Sequence, residues 1–567
     1  MTVEAAPRAP ESLEQARSAE SLAHLHAKAK EAAEAYLRQA DGERPDLIEH
    51  NQAVESVLRA FAGDKVHPAV FAAVWYHDII DRFDERSAKY TSAKAEAAYW
   101  QLLDLLTDPA LDSEVVKFSA HILADMVKTE QYSGKHRKDM AKESVQNGHG
   151  KVSDEVIKMI ADHYEGDIPP EVWKTVSPLL DFAQMGEFAK DTNLEAMLVK
   201  AAELLVNMQH PSSERQSAWL QDVLEAESFY APLCEVIGFD GLAMALRSQA
   251  HTIRLTQQGK GRQVREAQEK LRRITSVGLE AVLEKAVGGV GGPCISRVVE
   301  KDDSTGEYPV HIGEFALIKD DGMTVAGNWR LKTEGSLAAK LDSRQGESMD
   351  VLGLTIISED TAQSAQDFAD YLTSHLGVGS DTPFDAGDYQ LCPAPSKRCA
   401  IYIQGSPEYK AAMRRALEER GMSGELIEED SDEGRTDDDR SGEYRQYEVA
   451  KVTFKMKIED EAGNIVEVPV EAQFVTRAER ERSRTGAVAH IIYKFIRQQE
   501  RILERKLTRE ERRTIIDSAK NVLKNVHRRR MMMSTGSLGV NERSEATCRD
   551  FLERLVKYQP NDEALAA

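Results

Sequence analysis

From residue 450 the chain alternates with a period of two over two successive runs, and no other feature limits its fold as tightly. Ala450, Val452, Phe454, Met456 and Ile458 alternate with Lys451, Thr453, Lys455 and Lys457. After the turn EDEAGN, Val466, Val468, Val470, Ala472 and Phe474 alternate with Glu467, Pro469, Glu471 and Gln473. Successive side chains of a strand point to opposite faces. The two runs therefore predict a strand pair with one core face and one face carrying lysines, Glu467, Glu471 and Gln473. VHIGEFALI (310–318), DVLGLTII (350–357) and CAIYIQ (399–404) read as further strands of the same half. Ser406-Pro407-Glu408 opens a helix with a cap and a first-turn proline, and Gly421 ends it.

The front half follows a different period. Residues 21–260 are patterned as helices almost throughout, after a loose tail over 1–20. A charged helix over about 254–286 ends at GGVGG (288–292), which with Pro293 reads as a hinge. The expected fold class is multidomain, with an all-α half over 21–255, a linker helix and hinge over 256–292, an α+β domain with a mixed sheet over 293–497, and a helical tail over 498–567. The acid-rich stretch inside 425–443 is expected to be a disordered loop.

Composition narrows the partners. A net charge of −23 disfavours broad binding to nucleic acid. The basic segments 254–273 and 497–530 read first as solvated helix faces, so a ribosome or tRNA contact has little support. No apolar run reaches the length of a membrane span, and the first twenty residues lack the apolar core of a secretory signal. Five cysteines without a CxxC pair suit reduced thiols and a cytoplasmic location.

Two groups of residues carry chemistry. In the helical half, WYHDIID (75–81) sets His77 beside Asp78 at the end of an apolar helix, and His50 lies upstream in LIEHNQAVESVL. Imidazole nitrogen and carboxylate oxygen together suit a divalent metal. In this order the trio resembles HD phosphohydrolases and the RelA/SpoT family, whose members make and break guanosine tetra- and pentaphosphate, (p)ppGpp. The resemblance implies an HD-type domain in which manganese is held by His50, His77, Asp78 and a distant acid, and activates the water that attacks the 3′-pyrophosphate. That distant acid is Glu203 in KAAELLVNMQ (200–209), which also keeps Asn207 as a nucleotide contact. Asp81 and Glu85 are the acids left to orient the water, because Arg82 replaces one acid of the family's pattern. FYAPLCEVIGFDGLAMAL (229–246) resembles the family's helix-turn-helix, with Tyr230, Pro232 and Gly238 as core and turn residues.

In the second half, RLKTEGSLAAKLDS (330–343) resembles the family's basic loop and helix, DVLGLTII its metal-binding strand, and VEAQFVTRAERERSRTGAVAHIIYK (470–494) its VExQIRT…GxAAHWxYK segment. The resemblance implies a nucleotidyltransferase-like synthetase that moves the β,γ-pyrophosphate of ATP onto the 3′-hydroxyl of GDP or GTP. Asp350 and Glu471 are its catalytic acids and magnesium ligands. Arg330, Lys332, Ser336, Lys340, Tyr444, Gln473 and His490 are its nucleotide contacts. Thr355 and Ala339 depart from the family, which has arginines there. Two other readings keep the same residues: a toxin-like pyrophosphokinase acting on adenosine nucleotides or tRNA, and a nucleotide sensor or scaffold that binds without catalysis.

Overall fold

The computed structural model describes residues 26–31, 33–34, 45–62, 66, 70–75, 194–210, 222–223, 225–287, 310–318, 324–343, 348–378, 385–386, 388–393, 399–422, 427–429, 447–485 and 507–508. They fall into two compact units, one ending at His210 and the other holding the described residues from Asp222 onward. The chain is a mixed helix-and-sheet protein. The division near 210 comes earlier than the boundary near 255 that the sequence suggests, because the helices after Asp222 pack with the sheet-bearing unit.

In the first unit, α1 (Pro45–Phe61) packs against α2 (Leu194–Gln209). Alpha-helix α1 buries Val54, Val57 and Leu58, while α2 is buried on nearly every side, including Glu195 and Lys200. A helix that is apolar around most of its circumference belongs in an interior.

The second unit begins with a π-helical turn (Ala226–Tyr230) that runs into α3 (Ala231–Ile237). Pro232 sits in the first turn of α3, and Gly238 ends it at φ 90°. Tyr230 is buried, so these residues are core and turn as expected. Next come α4 (Asp240–Gln257), α5 (Gly261–Ser276) and α6 (Leu279–Val287). The sequence predicts one helix over 254–286. Instead Gly259 (φ 73°) and Gly278 (φ 92°) break it, in a left-handed conformation that only glycine adopts at no steric cost.

The strands are β1 (Ile312–Ile318), β2 (Thr324–Leu331), β3 (Leu352–Ser358), β4 (Asp385–Ala386), β5 (Tyr389–Leu391), β6 (Ile401–Gln404), β7 (Ile427–Glu429), β8 (Val449–Glu459) and β9 (Ile465–Thr476). They form one sheet in the order β1-β2-β3-β9-β8-β5-β4, with β6 paired to both β8 and β7. The β3–β9 and β6–β7 pairs are parallel and the others antiparallel, so the sheet is mixed. Helix α7 (Glu334–Ser343) joins β2 to β3. Helix α8 (Thr361–Asp370) and a π turn (Tyr371–His375) follow β3, α9 (Pro407–Glu418) follows β6, and α10 (Arg477–Thr485) follows β9.

The two alternating runs form the hairpin β8–β9, and its register pairs Glu459 with Ile465. Its turn is held by the Asp460 carboxylate, which accepts the N–H groups of Ala462 and Asn464, with Gly463 at φ 82°. The Phe368 and Tyr371 rings pack on Phe474 at 5.1 and 5.3 Å between centroids. Two aromatic rings lie over glycines of the neighbouring strand: Trp329 over Gly313 and Phe315 over Gly327. Strand β2 escapes prediction because Gly327 and Asn328 interrupt its apolar run. Residues 427–429, inside the stretch expected to be disordered, instead add β7 in parallel to β6. Ser406 caps α9 by accepting the N–H of Tyr409, and Gly421 follows its end at φ 75°, both as the sequence predicts.

Candidate functional site

The ladder between β2 and β3 continues one step past the strands, where the Lys332 N–H donates to Val351 O at 2.8 Å. This step brings the Lys332 side chain onto Asp350. Its Nζ donates to Asp350 Oδ2 at 2.6 Å and to the Asp350 carbonyl at 3.0 Å. Lys340, from α7, pairs with the same Oδ2, and the Ser348 hydroxyl donates to Oδ1 at 2.8 Å. The cluster is sheltered: the side chains of Lys332 and Asp350 are 11% and 14% exposed, against 30% for Lys340. Burial alone would raise the Asp350 carboxyl, but Lys332 and Lys340 outweigh it and hold the group far below the usual carboxylate range. Burial pushes the Lys332 ammonium down to about 7, with Lys340 and Arg330 adding to the effect and Asp350 opposing it.

Beside this cluster lies the polar face of the sheet. Cross-strand pairing sets Arg330, Gly353, Glu471 and Thr453 in one row, and Asn328, Thr355, Gln473 and Lys451 in the next. Gly353 has a defined use here. A Cβ at that position would stand 3.4 Å from both Cγ and Nε of Arg330, so the missing side chain lets the arginine lie along its row toward Glu471. Arg330 is exposed and makes no ion pair among the described residues. The Glu471 carboxylate accepts from Gln473 Nε2 on the same face. Alternation had set Glu471 and Gln473 together, and the register adds that Arg330 shares their face.

Asp350 lies one strand over and three residues before the position level with Glu471. At about 3.3 Å per residue and about 4.8 Å between strands, their Cα atoms are about 11 Å apart. Both offer the oxygen donors that magnesium takes. A single ion at both requires the two side chains to lean together, and Asp350 to loosen its hold on the lysines. Among the described residues no three metal-ligating side chains converge. Ser336 meets the Thr333 hydroxyl at 3.0 Å where α7 begins.

Helix α7 is seated by close contact with α4. The Gly335 N–H donates to Ser248 Oγ, and a Cβ at Gly335 would stand 1.9 Å from the Ser248 carbonyl oxygen. The helix that carries Lys340 is thereby anchored at its first turn.

Of the residues expected to hold manganese, His50 lies on α1 and Glu203 and Asn207 on α2, two helices that pack together. Imidazole nitrogen and carboxylate oxygen fit that ion chemically. Glu203 pairs with Lys200 one turn before it, at 2.9 Å. His77, Asp78, Asp81, Glu85, Tyr444 and His490 lie outside the described residues. One turn beyond His50, Glu55 accepts from Trp75 Nε1 at 2.7 Å and Arg59 Nε at 2.7 Å, and meets His26 Nε2 at 3.1 Å. Burial would raise its carboxyl, but these partners lower it to about 2. Glu55 thus ties the helical residues 70–75 to α1.

Sequence reasoning missed Ser348, Gly353, Asn328 and Glu55. The first is a common residue with no motif around it, and the others matter only through cross-strand or inter-helix neighbours. No family model matches the chain, and no curated protein matches it.

Proposed function

We propose that the second unit is a pyrophosphotransferase of the alarmone-synthetase type, moving the β,γ-pyrophosphate of ATP to the 3′-hydroxyl of GDP or GTP. The observation that carries this reading is the convergence of Lys332 and Lys340 on Asp350, at the end of the strand whose polar face sets Arg330 in one row with Glu471. One lysine just past the end of β2 and one on α7, with Arg330 exposed on β2, suit a triphosphate, and charge-assisted bonds to phosphate are the strong ones. The attacking 3′-oxygen forms a bond to the β-phosphorus, the bond from that phosphorus to the α,β-bridging oxygen breaks, and AMP leaves. Glu471 takes the hydroxyl proton, held in place by Gln473. Asp350 and Glu471 would hold magnesium, which when bound spreads the charge of the transferring phosphates.

For the first unit the reading is (p)ppGpp 3′-pyrophosphate hydrolysis, with His50, His77, Asp78 and Glu203 holding manganese. Manganese there would supply an activated water at neutral pH. Asp81 and Glu85 would orient that water, and Asn207 would contact the nucleotide.

A binding-only protein is the second reading. It is favoured by Thr355, which stands in the polar row between Asn328 and Gln473 where the family has an arginine.

The test is incubation with ATP labelled in the γ-phosphate plus GDP or GTP and magnesium, and separately with ppGpp and manganese. Label on the guanosine nucleotide, lost in Glu471→Gln, supports transfer. Loss of ppGpp, abolished in Asp78→Ala, supports hydrolysis. Nucleotide binding with neither reaction leaves the sensor.

A further inference from the structure

We propose that Asp350 is an internal counter-anion, holding in the unliganded protein the position a substrate phosphate takes, so that Lys332 and Lys340 must release it before they grip a polyphosphate. The inference rests on the reading of these two lysines as phosphate ligands, and it adds how that site is regulated.

The geometry is that of an occupied anion site. Both ammonium groups converge on one oxygen, Asp350 Oδ2, as two lysines would on a phosphate oxygen. The second oxygen is fixed by Ser348, a hydroxyl only 2% exposed, so the carboxylate is oriented at both ends. Lys332 has three donors and uses two of them on Asp350, one on its carboxylate and one on its carbonyl. A polyphosphate arriving while this arrangement stands meets a carboxylate at short range, and like charges at that distance disfavour binding.

The charge balance makes exchange feasible. Lys332 and Lys340 against Asp350 leave the cluster with a net charge of +1 by residue type, so it attracts anions even with Asp350 in place. Arg330 is the cation outside the Asp350 cluster, and it lies exposed along Gly353. It makes first contact, and the lysines follow once they leave the carboxylate. A divalent cation taken up by Asp350 has the same effect from the other side, because it removes the competing charge. Polyphosphate and divalent cation therefore bind cooperatively, each raising the affinity for the other by the same factor.

The test is calorimetric titration of the full chain with inorganic pyrophosphate in EDTA, at fixed ionic strength of about 0.15 M so that screening is constant. Asp350→Asn removes the competing charge while keeping the side chain's shape, and is expected to tighten pyrophosphate binding by about tenfold if the closed pair makes up about nine-tenths of the free protein. Ser348→Ala keeps every charge and loosens the carboxylate, so it is expected to shift affinity the same way by a smaller factor. Lys340→Gln is expected to weaken binding. If Lys340→Gln weakens binding while Asp350→Asn leaves it unchanged or weaker, the lysines bind phosphate but Asp350 does not compete, and the proposal is overturned. If Lys340→Gln has no effect in either background, the phosphate reading of the lysines itself fails. Should Asp350→Asn lose its circular-dichroism signature of folding, Ser348→Ala decides, and unchanged affinity in that variant overturns the proposal.

Discussion

Gly335→Ala tests whether the placement of Lys340 depends on the contact between α4 and α7. The added Cβ would stand 1.9 Å from the Ser248 carbonyl oxygen, 2.7 Å from its carbon and 2.8 Å from Thr252 Oγ1. The nearest obstacle is backbone, which cannot swing aside as a side-chain tip can. Even a contact of 3.0 Å, shorter than real Cβ atoms make, requires the helices to part by about 1.1 Å. Overpacking of this kind costs about 1–3 kcal/mol. The gain from replacing a helical glycine by alanine returns at most about 1 kcal/mol. A net loss of up to about 2 kcal/mol corresponds to a fall in Tm of up to about 3 °C for a unit of this size. The same displacement moves Lys340 relative to Asp350, and misplacement by about 1 Å in a site of charged groups costs up to about a hundredfold in function. Differential scanning calorimetry and pyrophosphate titration measure the two effects. Gly261→Ala is the control, since its nearest neighbour would be an Arg265 Nη1 at 3.7 Å. A Gly335→Ala protein as stable as the control, with unchanged pyrophosphate affinity, refutes the reasoning.

Gly353→Val puts a branched side chain where Arg330 Cγ and Nε lie 3.4 Å from the Cβ position, and is expected to lower pyrophosphate affinity about tenfold with Tm unchanged, since valine suits a strand. Glu479 is 1% exposed, pairs with Arg482 at 2.7 Å and accepts the Glu448 N–H at 3.0 Å. Glu479→Ala is therefore expected to destabilise by about 1–3 kcal/mol in urea unfolding, because it removes the acceptor of a buried backbone N–H and one partner of a half-buried guanidinium. Glu55 has a folded carboxyl pKa lowered from 4.5 to about 2. Its contribution is whole above pH 4.5 and lost as pH falls through about 2. Glu55→Gln is thus expected to flatten the acid-unfolding curve of the first unit between those values, and an unchanged slope would count against the Glu55–Trp75 tie.

Much of the second unit was legible from local pattern. The alternation over 450–474 set the two strands and the shared face of Glu471 and Gln473, because strand periodicity is a property of consecutive residues. Ser406, Gly421 and Gly238 marked helix ends for the same reason: capping and positive φ are decided within one turn. The glycines at 259 and 278 carried the same information, but charged helical pattern on either side masked them.

Other features exist only in the folded chain. Asp350 meets Lys332 and Lys340 across 18 and 10 residues, and nothing in the spacing says that β2 and β3 pair so as to bring the three together. The seating of Arg330 over Gly353 depends on β3 lying between β2 and β9, a neighbour order set by how the whole sheet closes its core. In the sequence Gly335 is one residue of the segment 330–343 that resembles a basic loop and helix. In the structure its missing Cβ admits the Ser248 backbone, which gives α7 its position. Short-range propensity determined which elements form and which face of each is polar. Long-range packing decided which charges meet, because ion pairing depends on distances that only the complete fold establishes.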